Sequence, residues 1–312
     1  MTAAASPADR YPTRLSRTTW SPRPDPVVWP SAAGPGGTGP GPLGPDRLAA
    51  YDRDGYLVFE DLFDEADVRS WRAEADRLRA DAALAGDERA IVEPSGGELR
   101  SLFEVHAISP VFAGLFADER LVALARQILG SPVYIHQSRI NLKAGFGAAG
   151  FYWHSDFETW HAEDGMPAPR ALSFSIALTD NLPTNGPLLI VPGSHRTFVG
   201  CAGQTPPEHF RSSLRRQEIG TPPPSALTRL TGQRGIDQVT GRAGTTTLFD
   251  SNCMHGSGDN ITPYPRHNAF VVYNSLENRL VQPFRSGAPR PDFVASRTFT
   301  PVGGGRPAAG VR

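Results

Sequence analysis

The segment Phe151-Tyr152-Trp153-His154-Ser155-Asp156-Phe157-Glu158 carries an imidazole and a carboxylate two positions apart. Read as a strand over 151–158, it turns His154 and Asp156 to one face, because alternate side chains of a strand share a side. Those two make two corners of a metal site. About a hundred residues on, Asp250-Ser251-Asn252-Cys253-Met254-His255-Gly256-Ser257 offers His255, just beyond an apolar strand at 245–249 that a jelly roll could bring beside the first. Two histidines and one carboxylate with open positions is the arrangement of non-haem Fe(II) oxygenases. A closed zinc site needs a fourth ligand, and Cys253, two residues before His255, keeps that alternative open. The other six histidines, His106, His136, His161, His195, His209 and His267, are read as surface or hydrogen-bonded core residues.

Arg266 follows His255 by eleven positions, at the start of a further strand. A guanidinium there suits bidentate grip on the far carboxylate of a metal-chelating 2-oxo acid; the alternative is a surface arginine beside Pro265. On the strand 133–143, Gln137, Arg139, Asn141 and Lys143 share one face. That face either meets solvent or, if buried, needs a small charged ligand to satisfy it, since unpaired buried polar groups are costly. On 171–179, small Ala171, Ser173, Ser175 and Ala177 lie opposite apolar Leu172, Phe174, Ile176 and Leu178, leaving room for a ligand on the small side.

The elements that would position these groups come in two blocks. Early helices are expected at 48–53, at 65–84 with Asp64 as N-cap and Val68, Trp71, Ala75 and Leu78 as its apolar stripe, and at 118–129 closed by Gly130. A short strand falls at 56–59. Strands at 133–143, 151–158, 171–179, 187–191, 245–250 and 268–275 follow without helical alternation. Helices first and strands after argue against a doubly wound sheet and for a mainly β fold with flanking helices, a double-stranded β-helix core of jelly-roll or cupin-like type.

Residues 1–45, rich in Pro, Gly, Ala and Ser, are read as a largely flexible N-terminal segment, with 11–29 able to lie against the domain. Residues 46–285 form the catalytic domain and 286–312 a flexible tail. The net charge of −1 and pI of about 6.7 offer nothing to a nucleic acid, and the Arg215–Arg216 pair is read as a solvated face. Two distant cysteines, no leader pattern and no long apolar run point to the cytoplasm and away from a membrane. A homodimer is compatible with the sequence, which carries no direct evidence of oligomeric state.

The pattern His154-x-Asp156, the block from Asn185-Gly186-Pro187-Leu188 to Pro192-Gly193-Ser194-His195, and His255 with Arg266 resemble the phytanoyl-CoA dioxygenase superfamily. The run from Phe151 through Trp160 to Asp164-Gly165-Met166-Pro167 is similar to the more specific signature of the ectoine hydroxylases. The likeness spans about 46–285, with an echo in Tyr11-Pro12-Thr13-Arg14 and no motif position out of pattern. The resemblance implies that His154, Asp156 and His255 ligate Fe(II), and that Lys143, Arg266 and, more weakly, Ser257 hold 2-oxoglutarate. It implies ectoine contacts from Gln137, Trp160 and Thr159, with Arg139 shared between the two ligands, and O2 as co-substrate. An indole such as Trp160 suits the ring cation of ectoine, and Gln137 or Arg139 its carboxylate.

Three rivals stand beside this reading: a related hydroxylase of another small amino acid or an acyl substrate, a Zn or Mn hydrolase or isomerase, and a non-catalytic ectoine-binding protein. Asp156 occupies the position that a halogenase would leave to chloride.

Overall fold

A computed structural model of the chain describes residues 9–31, 41–84, 86–93, 97–146, 148–214 and 217–303. The first half holds β1 (Thr19–Pro22), α1 (Pro45–Asp54), β2 (Tyr56–Phe59), α2 (Glu65–Ala80), β3 (Ala90–Val92), β4 (Leu99–Phe103), α3 (Val105–Ile108), α4 (Pro110–Phe116) and α5 (Glu119–Leu129). Then come β5 (Val133–Lys143), β6 (Phe151–His154), α6 (Asp156–Thr159), β7 (Ala171–Ala177), β8 (Leu188–Ile190) and β9 (Thr197–Gly200). The chain continues through α7 (Phe210–Ser213), α8 (Pro224–Arg234), β10 (Asp237–Val239), β11 (Thr246–Asp250), β12 (His255–Ser257) and β13 (Arg266–Ser275).

Seven strands form one open sheet in the order β2-β11-β7-β13-β5-β4-β3, and four form another, β10-β8-β12-β6. The two faces of the large sheet differ as period-two side-chain alternation demands. Leu172, Phe174, Ile176, Ala269, Val271, Ile140 and Leu142 pack on the helical layer, where Leu121, Leu124 and Ile128 of α5 meet them. On the other face Phe249 and Phe270 pack against Leu188 and Ile190 of the small sheet. The result is the mainly β, cupin-like layout with helices outside, its two sheets left unclosed.

Local chemistry sets the element ends. Asp64 caps α2 by accepting the Asp67 N–H at 2.8 Å, and Val68, Trp71, Ala75 and Leu78 are its buried stripe. The helix stops at Ala80, short of the expected 84; a separate tight turn covers Ala82–Leu84. Asp118 caps α5, and the Gly130 N–H closes it on Arg126 O.

The terminal segments are held against the domain further than their composition implies. Residues 9–31, including the stretch 11–29 expected to be able to lie there, are packed: Tyr11 is fully buried between Phe157 and Phe198, and β1 pairs antiparallel with β9. Leu43 exchanges two 2.9 Å hydrogen bonds with the Gln127 amide. The C-terminal stretch is likewise held, with Phe293, Val294 and Ala295 buried and Arg290 paired to Asp164 at 2.6 Å. In both segments a few aromatics and arginines find partners on the domain, which composition averaged over a Pro/Gly-rich window does not register. Residues 1–8, 32–40 and 304–312, and the Arg215–Arg216 pair, lie outside the described residues.

Candidate metal centre and substrate cleft

β6 ends at His154, and Asp156 begins the helical turn α6, so the two do not share a strand face as the period-two reading expected. The turn brings the carboxylate round instead: Asp156 Oδ1 stands 3.7 Å from His154 Nε2 and Oδ2 4.0 Å from His255 Nε2. His255 does not follow from pairing of the 245–249 strand, since β11 lies inside the large sheet between β2 and β7. It sits on the separate short strand β12, in direct register with His154 of β6, and the two rings lie 4.3 Å apart.

Among the described residues His154, Asp156 and His255 are the group whose ligand atoms converge, all within 4.8 Å of one another. Each imidazole has its Nδ1 against a backbone carbonyl, His154 with Tyr152 O at 2.7 Å and His255 with Cys253 O at 3.0 Å. A carbonyl only accepts, so Nδ1 carries the proton and Nε2 presents its lone pair inward, the tautomer a metal ligand needs. Burial, reinforced by His255 alongside, lowers the His154 pKa to about 4 and keeps the ring neutral. Ser173 Oγ donates to Asp156 Oδ2 at 3.4 Å. Cys253 donates its thiol to Gly55 O at 3.3 Å and stands outside the converging group, which removes the proposed fourth zinc ligand. Two imidazoles and one carboxylate on one side fit a divalent iron with open positions.

The polar face of β5 points inward. Gln137, Arg139, His154, Asp156, Thr159 and Trp160 line a cleft that opens to solvent. Lys143 lies two residues beyond Asn141 on that face, opposite Arg266 in the β5–β13 register. Its ammonium donates to Ser257 Oγ at 3.1 Å and Gly258 O at 2.5 Å. Gly186 is required here: at φ 72° it runs so close that a Cβ would meet Gly258 O at 2.5 Å and Lys143 Nζ at 3.1 Å.

Electrostatics sets this region apart. Lys143 and Arg266 are buried and Arg139 is half-buried, and no carboxylate of the described residues lies within the 4.0 Å of an ion pair from any of them. Arg266 Nε has no hydrogen-bond partner. Burial, with Arg266 and Arg100 nearby, lowers the Lys143 pKa to about 6, and burial with Arg100 lowers that of Arg266 to about 10. Burial also lowers Arg139, whose guanidinium stacks 4.8 Å from the Phe270 ring and donates to Gln137 Oε1. Basic groups desolvated in this way and without a carboxylate partner are expensive to keep charged unless an anionic ligand belongs there.

The cleft also takes in groups the sequence did not single out: Phe103 and Ser101 on β4, Gln217 and Ile219 on a loop, and Arg290, already bound to Asp164. β4 is too short to show period two, and no spacing ties Arg290 to the other site residues. His136 is the extra residue of a β-bulge on β5, fully buried with neither ring nitrogen hydrogen-bonded, and packs edge-on 4.9 Å from Trp160. Burial lowers the pKa values of His136 and His267 to about 4. Between pH 6.5 and 4 the unfolded chain therefore binds more protons at these two rings, so stability falls as pH falls. The expected result is a melting temperature several degrees lower at pH 5 than at pH 7, with part of the drop removed in His267→Gln; an equal drop in that variant would exclude the ring as its source.

The chain belongs to the phytanoyl-CoA dioxygenase family, whose model matches residues 51–268. Within it the chain is similar to ectoine dioxygenases. It is 55% identical to that of Streptomyces coelicolor over 301 residues, covering 96% of this chain and 99% of the relative. Identity to the ectoine dioxygenase of Bordetella bronchiseptica is 50% over 294 residues, covering 94% of each. The fold matches crystalline EctD from S. alaskensis with 2-oxoglutarate and 5-hydroxyectoine at a TM-score of 0.83 and 46% identity, over 97% of each chain. Among the described residues no helix is long and apolar enough to cross a membrane.

Proposed function

We propose that this chain is an Fe(II)- and 2-oxoglutarate-dependent dioxygenase that hydroxylates ectoine to 5-hydroxyectoine, with release of succinate and CO2. The observation that carries the reading is charge: buried Lys143 and Arg266 and half-buried Arg139, none paired with a protein carboxylate, match the carboxylates of 2-oxoglutarate and ectoine. His154, Asp156 and His255 would hold Fe(II), which with 2-oxoglutarate and O2 supplies the oxidising power. Arg266 and Lys143, with Ser257 beside the ammonium, grip 2-oxoglutarate. Gln137 and Thr159 orient ectoine, Trp160 faces its delocalised ring cation, and Arg139 stands between the two ligands. The chain's share of the work is to bind, orient and exclude water, and the buried walls of the cleft serve the last of these. Two free, buried cysteines accord with a cytoplasmic location.

Protein reconstituted anaerobically with Fe(II), then given 2-oxoglutarate, O2 and ectoine, is expected to form succinate and 5-hydroxyectoine in equal amounts. Succinate without hydroxyectoine would discard the substrate and leave a related hydroxylase. Iron-loaded protein forming neither product would discard the oxygenase.

A further inference from the structure

The N-terminal segment reaches the cleft from behind. Arg14, its side chain fully buried, donates to both oxygens of Glu158 at 2.7 and 2.9 Å, to Glu163 Oε1 at 3.1 Å and to Thr205 Oγ1 at 2.9 Å. Glu158 immediately precedes Thr159 and Trp160, and Glu163 follows them on the π-helical turn Trp160–Asp164, so one guanidinium spans the turn that presents both cleft residues. Thr205 begins the stretch that returns to the cleft at Gln217 and Ile219. Gly220 closes that stretch directly on the ion pair: a Cβ there would lie 2.4 Å from Arg14 Nη2 and 2.7 Å from Glu158 Oε2. Across the cleft wall Gln217 Nε2 donates to Thr159 Oγ1 at 3.3 Å.

The metal side has supports of its own. His154 and His255 are placed by strand register, Asp156 opens the same turn α6 but also meets Ser173, and Arg266 and Lys143 lie on β13 and β5. We infer that Arg14 is a positioning residue for the ectoine side of the cleft, locking the Thr159–Trp160 turn against the 217–220 wall, while Fe(II) and 2-oxoglutarate binding rest mainly on the strands. The inference rests on the function proposed above. A planar, five-donor guanidinium can serve Glu158, Glu163 and Thr205 together; an ammonium cannot reproduce the bidentate pair, and a neutral amide leaves buried Glu158 without its counter-charge and Glu163 with Arg290 at 4.0 Å.

The test compares wild type with Arg14→Gln, Arg14→Lys and Gly220→Ala. Arg14→Gln is expected to raise the ectoine KM by roughly tenfold or more and to push the succinate-to-hydroxyectoine ratio above one, as removal of substrate-orienting contacts should. Titration of the Fe(II)–2-oxoglutarate absorption band, an equilibrium readout independent of turnover, should stay within about twofold of wild type. Arg14→Lys should recover part of the loss. Gly220→Ala, which keeps every charge but forces a Cβ onto the pair, should show the same split, so the test survives an Arg14→Gln chain that does not fold. The inference is overturned if the ectoine KM and coupling are unchanged in the folded variants, or if cofactor affinity falls in step with them. Wild type that makes no hydroxyectoine would instead overturn the function, a separately visible outcome.

Discussion

Asp156→Ala is expected to strip Fe(II) from the purified protein and to lower hydroxyectoine formation by more than about a hundredfold, beyond what loss of an outer supporting group costs a metal site. The carboxylate is the only anionic member of the converging group, opposite two neutral imidazoles. Without it the site must hold a divalent cation on two uncharged donors, and affinity falls with ligand charge as well as ligand number. Asp156→Glu should rescue little, since one extra methylene carries the carboxylate past the point that lies 3.7 and 4.0 Å from the two Nε2 atoms. Stability should barely move: apart from the ring nitrogens, the side chain's recorded partner is a 3.4 Å hydroxyl contact from Ser173. Iron per chain after desalting, succinate, hydroxyectoine and the melting temperature test all of this. Retained iron with activity within about tenfold of wild type would remove Asp156 from the ligand set.

Why the triad was legible while its geometry was not is itself physical. Histidine two before an aspartate, with a third ligand far downstream, is a statement about chemistry that any local backbone can satisfy. Period two supplied the wrong backbone for 151–158, because Ser155 starts a helical turn and the Phe157 N–H is taken by Ser251 O at 2.8 Å. The polar face of β5 was the better-founded expectation: Ile140 and Leu142 must face the helices, so Arg139, Asn141 and Lys143 must face the other way. Its one irregularity, the bulge at His136, is a register shift between β5 and β13 that neither strand reveals alone. The hardest parts were long-range and ionic. Arg14 with Glu158, Arg23 with Asp250 and Arg290 with Asp164 each join residues more than a hundred positions apart. No local pattern distinguishes such arginines from the exposed ones, and all three come from terminal segments whose composition argues for disorder.

Arg266→Met is expected to move function and stability in opposite directions. This guanidinium is buried, sits opposite Lys143 in register, feels Arg100 nearby, and has an Nε without a protein hydrogen-bond partner. Replacing an unpaired buried cation by an apolar chain of similar length removes a desolvation cost, so the variant should melt at the wild-type temperature or above it. With 2-oxoglutarate the balance reverses. A buried, hydrogen-bonded charge pair is worth about 2–5 kcal/mol when one partner is cut away, so the 2-oxoglutarate KM should rise by roughly thirtyfold to a thousandfold or more. Arg266→Lys keeps the charge but loses the two parallel donors, and should fall between. Melting curves with and without 2-oxoglutarate separate the terms, because a ligand that binds only the folded state raises the wild-type transition and should leave that of Arg266→Met nearly unmoved. A lower melting temperature for Arg266→Met together with an unchanged KM would make the residue a structural cation and deprive the charge argument of its strongest member. The opposite signs would mean that the fold carries an uncompensated charge in its interior for the ligand that neutralises it.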